Sequence, residues 1–155
     1  MSIKMQFPKG KIKALILSFD DGPKEDRKLV SLLNKYNLKG TFHINSGRLS
    51  DDGMITREEF KTLFSIHEVS HHGYNHQGLS HLSNIDYIYE IGEDRRTLEQ
   101  VSERLVMDLA YPFGNNNVDA IPIIRHLGVE YASTVKDTQE FDIPENFIIW
   151  HPSTH

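Results

Sequence analysis

The sequence predicts an α/β protein built on a mainly parallel sheet. Three observations lead there. Short apolar runs alternate with segments of helical period. The runs close on Gly- and Pro-containing turns. The residues best suited to chemistry, Asp20-Asp21 and Ala110 to Gly114, fall just after such runs, where α/β folds place ligands at the carboxyl ends of strands.

Ala14 to Phe19 is an apolar run ending at Asp-Asp-Gly-Pro and reads as a buried strand feeding a loop. Asp26 to Tyr36 reads as a helix with Leu29, Val30, Leu32, Leu33 and Tyr36 on one face. Gly40 to Ile44 is the second strand. Thr56-Arg57-Glu58-Glu59 has the capping-box pattern and opens a helix through about Ile66. His67 to Val69 is a short strand running into a histidine-rich loop. Ser83 or Asn84 caps a long amphipathic helix, roughly Ile85 to Leu105, carrying Ile88, Ile91, Leu98, Val101 and Leu105. Val106 to Tyr111 is the next strand. Asp119 to Leu127 is a helix with Pro122 in its first turn and Gly128 as its stop. Tyr131 to Val135 and Phe147 to Trp150 are late strands.

At 155 residues the chain is expected to form one domain. The net charge of −5 argues against a nucleic-acid partner, because phosphate binding needs a basic face. No apolar run reaches membrane-spanning length, so no membrane insertion is expected. Met1 to Lys13 has lysines but no apolar signal core, and with a native N-terminus the expected location is cytoplasmic. With no cysteine, thiolate sites and cysteine nucleophiles are excluded, and any metal must sit on His, Asp or Glu. Nothing assigns an oligomeric state.

Five of the nine histidines fall between His67 and His81. His72 and His76 have the His-x3-His spacing that brings two imidazoles to one ion, but His67 and His71 have the same spacing. Spacing does not choose between the pairs. Asp20-Asp21 reads as one metal ligand beside one general base, or as an exposed Asp-Gly-Pro turn. Ala110 to Gly114 reads by itself as a strand end and a turn.

In this order the three stretches resemble the signature of the polysaccharide deacetylases with the NodB-homology domain (carbohydrate esterase family 4). Ser18 to Pro23 is similar to the family's Thr-Phe-Asp-Asp-Gly-Pro, His67 to His76 to its His-Glu-Ile-Gly-Asn-His-Thr-x-x-His, and Tyr111 to Gly114 to its Tyr-Pro-Tyr-Gly variant. The resemblance spans roughly Lys13 to Val135 and includes Lys39-Gly40-Thr41-Phe42. It implies a distorted, incomplete (β/α) barrel. It also implies Asp21, His72 and His76 as ligands of one divalent ion, most simply Zn2+ with Co2+, Ni2+ or Mn2+ as alternatives. Asp20 becomes the general base and the backbone N–H of Phe113 an oxyanion donor.

The implied reaction is hydrolysis of N-acetyl groups on a carbohydrate or glycoconjugate, releasing acetate. Competing readings are hydrolysis of another non-peptide C–N bond and a carbohydrate-binding pseudoenzyme. Ala110 stands where the family has an arginine that holds the catalytic aspartate, and the Asp-x-x-Asp-Trp motif is not found. The late Leu-x-His motif that supplies the general acid has two counterparts, Ile149-Trp150-His151 and Ser153-Thr154-His155. The chain is short for the family and stops after the second, so a C-terminally truncated domain is the expectation. Tyr111 and Trp150 are expected either to stack on a sugar ring or to pack in the core. His43, His67, His71 and His81 are expected in structural or substrate-contact roles.

Overall fold

Five short parallel strands lie side by side in chain order. They are β1 (Ser18–Asp21), β2 (Thr41–Ile44), β3 (Glu68–His71), β4 (Asp108–Ala110) and β5 (Tyr131–Ser133) in a computed structural model that describes residues 8–11 and 14–155. The order never reverses. Right-handed crossovers between successive neighbours then put every helix on the same face, and the sheet winds as part of a barrel instead of a doubly wound layer. The crossovers carry α1 (Asp26–Lys35), α2 (Arg57–Leu63), α3 (Asn84–Ser102) and α4 (Ile121–His126).

Alternation along the strands sorts the side chains. Phe42, Ile44 and Val69 pack with Val30, Leu33, Phe60, Phe64 and Leu98 from the helices. Leu109, Tyr111 and Ala132 pack with Tyr87, Ile91 and Ile124. Most of the intervening residues are polar and hydrogen-bond to one another. Thr41 donates to Glu68 (2.8 Å), Tyr131 donates to Glu68 (3.2 Å), Ser70 donates to the Asp108 carbonyl (2.8 Å), and His43 is hydrogen-bonded to Ser18 (2.7 Å). Asp20 and His43 are register partners across β1 and β2, so the polar face leads directly to the site.

Most expected elements are present. Thr56 forms the full capping box with Glu59, Ser83 caps α3, and Gly128 follows α4 at φ 79°. Four expectations change. The strand begins at Ser18 rather than Ala14: Leu15 is 81% exposed and Ile16 67%, because the run precedes the pairing with β2 on an edge. On α1, Val30 and Leu33 are buried but Leu32 and Tyr36 are exposed, so the buried stripe is narrower. Helix α3 ends at Ser102, since Glu103 turns left-handed at φ 56°, and Leu105 lies exposed beyond it. Phe147–Ile149 is a 3-10 turn, with Trp150 making a single parallel bridge to Ser133. The N-terminal reading from Met1 to Lys13 falls largely outside the described residues, which there are 8–11. Among the described residues no helix is long and apolar enough to cross a membrane.

Candidate metal centre

Asp20 and Asp21 end β1, the first strand of the sheet. At Asp21 the backbone turns left-handed (φ 76°), and the Gly22 N–H donates to the Asp20 carbonyl (3.1 Å). The turn is held from outside: Gly22 O accepts from Ile55 N, and Lys24 N donates to Gly53 O. Both carboxylates are thereby presented at the carboxyl end of the sheet.

His72 follows β3 directly. Its backbone N–H donates to Asp94 Oδ2 (3.0 Å), and its carbonyl accepts from Asn45 Nδ2 (2.6 Å). Its ring Nδ1 lies 2.8 Å from the Ala110 carbonyl oxygen. A carbonyl only accepts, so Nδ1 carries the hydrogen and Nε2 keeps its lone pair. That Nε2 is 3.5 Å from Asp21 Oδ1 and 4.0 Å from Asp20 Oδ2. His76 Nε2 is 3.4 Å from the same Asp21 oxygen. His76 is itself left-handed (φ 59°), and its ring lies between those of His72 and Phe113, with centroids 4.8 and 4.5 Å away.

One donor atom each from Asp21, His72 and His76 lies within 4.8 Å of the others. Asp21 Oδ1 is buried and accepts no hydrogen bond, although two imidazole nitrogens face it. A divalent ion would satisfy that oxygen and the two imidazole nitrogens facing it together, so the donor set fits a borderline ion bound by nitrogen and oxygen. Burial raises the Asp20 pKa, opposed by His72 and reinforced by Asp21, which makes Asp20 a better proton acceptor than an exposed aspartate. Burial and the neighbouring His72 hold His76 below the usual histidine range, against the pull of Asp21, which favours the neutral, ligating form.

The remaining predicted residues divide. Phe113 follows Pro112 in a left-handed conformation (φ 59°), with its ring 61% exposed against His76. His155 is near enough for its charge to lower the Asp20 pKa. His151 is half-buried and hydrogen-bonded to Thr134 Oγ1 (2.6 Å). Tyr111 is corrected as a sugar contact: it is 1% exposed and its hydroxyl donates to the Ile148 carbonyl (2.9 Å), which makes it a core residue. Trp150 is half-buried with its ring against Phe147. The alternative histidine pair is separated from the site. His67 accepts from Gly40 N–H at Nδ1 and meets Asn34 at Nε2, while His71 is fully buried beside Asp94.

Two carboxylates of this neighbourhood are missing from the sequence reading. Glu90 and Asp94 lie on the buried face of α3, and both hold backbone of the site. The signal was present: both acids keep the helical spacing of Tyr87, Ile91 and Leu98, where an amphipathic helix has apolar residues.

Residues 8–132 match the family model described as polysaccharide deacetylase. A poly-beta-1,6-N-acetyl-D-glucosamine N-deacetylase of Staphylococcus aureus (strain MSSA476) is 23% identical over 152 residues, covering 86% of this chain and 51% of that protein. The chain thus spans about half the length of the curated relatives it matches. Among solved structures, the Streptococcus pyogenes deacetylase PplD in complex with acetate superposes with a TM-score of 0.79 at 21% identity, covering 85% of this chain and 59% of that one. BC0361, a polysaccharide deacetylase from Bacillus cereus, gives 0.78 at 21% identity, with 88% and 45% covered. These likenesses show the fold, an incomplete barrel of the same type.

Proposed function

The chain belongs to the polysaccharide deacetylase family, and on that footing we propose that it is a metal-dependent carbohydrate N-deacetylase. The observation that carries the reading is the convergence of Asp21, His72 and His76 on one point, with Asp20 beside them. Asp21, His72 and His76 would hold one divalent ion, zinc in our reading, with cobalt, nickel or manganese as substitutes. When bound, the ion supplies an acidified water and polarises the acetamide carbonyl.

The chain's own residues supply the rest. Asp20, made more basic by burial, takes the proton of the attacking water. The left-handed turn at Phe113 offers a backbone N–H to the developing oxyanion, and the exposed ring beside it offers a face to a sugar. His155, the late histidine whose charge reaches Asp20, gives a proton to the departing amine. The products are acetate and a free amino sugar. The substrate class is a polymer or glycoconjugate bearing N-acetylated hexosamine, and β-1,6-linked N-acetylglucosamine is the first linkage to test, given the matched relatives.

The test is acetate release from β-1,6- and β-1,4-linked N-acetylglucosamine oligomers after EDTA dialysis and re-addition of Zn, Co, Mn or Ni. Metal-restored release supports the proposal. Stoichiometric metal without release would replace the substrate with another amide. Absence of metal binding would replace the enzyme with a carbohydrate-binding domain.

A further inference from the structure

Glu90 is 1% exposed on α3, and the reaction above gives it no chemical task. Its carboxylate nevertheless collects three donors from the histidine loop. Asn75 N–H donates to Oε2 (2.9 Å), Asn75 Nδ2 to Oε1 (2.7 Å), and Gln77 Nε2 to Oε1 (3.3 Å). Its backbone carbonyl accepts from Tyr74 N–H (3.0 Å). The side-chain contacts come from the residues immediately before and after His76. The loop also presses against the carboxylate at its start: Gly73 is left-handed (φ 76°), and a Cβ there would sit 3.4 Å from Glu90 Oε2. A buried carboxylate is tolerated where several N–H groups solvate it, and such charge-assisted bonds are the strong ones. A left-handed histidine persists only where its surroundings over-determine it.

We propose that Glu90 is a positioning residue: by gripping Asn75 and Gln77 it holds His76 in its left-handed turn, with Nε2 facing Asp21, and so sets the affinity of the ion site. This inference rests on the ion-site reading above. Groups that orient ligands from behind commonly change metal affinity by about 10- to 100-fold when removed.

The test uses cobalt alone, titrated against a chelator and followed by its visible spectrum. The proteins are wild type, Glu90→Ala, Asn75→Ala, His76→Ala and the Glu90→Ala/His76→Ala double variant, each checked for folding by circular dichroism. Expected are an affinity loss of about 10- to 100-fold in Glu90→Ala, a spectrum shifted toward that of His76→Ala, and no further loss in the double variant. Wild-type affinity in a folded Glu90→Ala protein would overturn the proposal. So would an equal added loss in the His76→Ala background, because Glu90 would then act by another route. If Glu90→Ala does not fold, Asn75→Ala decides: weakened cobalt binding supports the role and unchanged binding refutes it. Failure of the wild type itself to bind cobalt would instead remove the ion-site reading, and this inference with it.

Discussion

His72 donates its Nδ1 hydrogen to the main-chain carbonyl of Ala110, 2.8 Å away. The contact joins the ends of β3 and β4 and fixes which imidazole nitrogen faces Asp21. It also gives position 110 a function that no side chain performs. The arginine expected there from the family pattern is absent, but the carbonyl stays whichever residue stands at 110. Ala110→Ser is therefore expected to leave metal affinity within about twofold of wild type, since the substitution retains the acceptor that sets the tautomer. Isothermal titration with zinc checks this.

Asp20 and His72 are expected to separate chemistry from binding. Asp20→Asn keeps the ion and lowers turnover by about 10²- to 10⁴-fold, the usual contribution of a general base. His72→Ala loses the ion. Metal content and acetate release, measured on the same preparations, distinguish the two; equal loss of metal and turnover in Asp20→Asn would remove it from the base role.

The two late histidines are expected to behave differently. His155→Ala lowers kcat and leaves metal content unchanged, as expected of the late histidine nearest Asp20 that gives the departing amine its proton. His151→Ala retains most turnover and loses about 1 kcal/mol of stability through its hydrogen bond to Thr134. A kcat loss confined to His151→Ala would reverse the assignment.

Asp26 is a buried carboxyl with an unpartnered oxygen, and burial, with Glu25 and Asp21 nearby, raises its pKa from 3.8 to about 7. The folded state therefore binds this proton more tightly than the unfolded chain does. The stabilisation is fully present below about pH 3.8 and is lost as pH rises through about 7. Asp26→Asn removes the titration. Relative to wild type it is expected to gain stability as pH rises across that window, as read from urea unfolding of the metal-free protein.

Gly47 and Gly92 are expected to respond to alanine in opposite directions. A Cβ at Gly47 would lie 2.6 Å from the Tyr74 carbonyl, so the loop carrying His76 must shift, at a cost of about 1–3 kcal/mol. A Cβ at Gly92, inside α3, meets only Leu127 at an ordinary 3.6 Å, and alanine there is worth up to about 1 kcal/mol in helix propensity. Thermal melts of the two variants decide both.

The order of strands and helices, the capping box at Thr56 and the separation of His72 and His76 from His67 and His71 were all legible from spacing and resemblance together. Spacing alone did not separate the two histidine pairs; in the structure Asn34 and Gly40 occupy both nitrogens of His67. The apolar run at Leu15 misled because hydrophobicity reports burial only where a neighbouring strand or helix exists to bury against, and this stretch precedes the pairing with β2. Phe147 to Trp150 misled for a related reason: a 3-10 turn capped by Asn146 takes up the run, and only Trp150 bridges to Ser133, so the ladder is not extended. Glu90 and Asp94 escaped because acids on a helix normally mark its wet face, and the histidine loop together with the turn at Ser46, packed over α3, makes these positions interior.

Three of the residues assigned to the site, Asp21, His76 and Phe113, adopt left-handed backbone at φ 76°, 59° and 59°. Each such conformation costs about 1–3 kcal/mol in a residue other than glycine. Selection for stability alone would drift these positions toward glycine, which adopts the same turns at lower cost. At 21 and 76 that drift would delete the side chains proposed to hold the ion. The most economical stabilising changes are thus barred where the chemistry sits, and a lineage under thermal pressure must gather its gains elsewhere, in helix interiors such as position 92 and in the packing beneath the sheet.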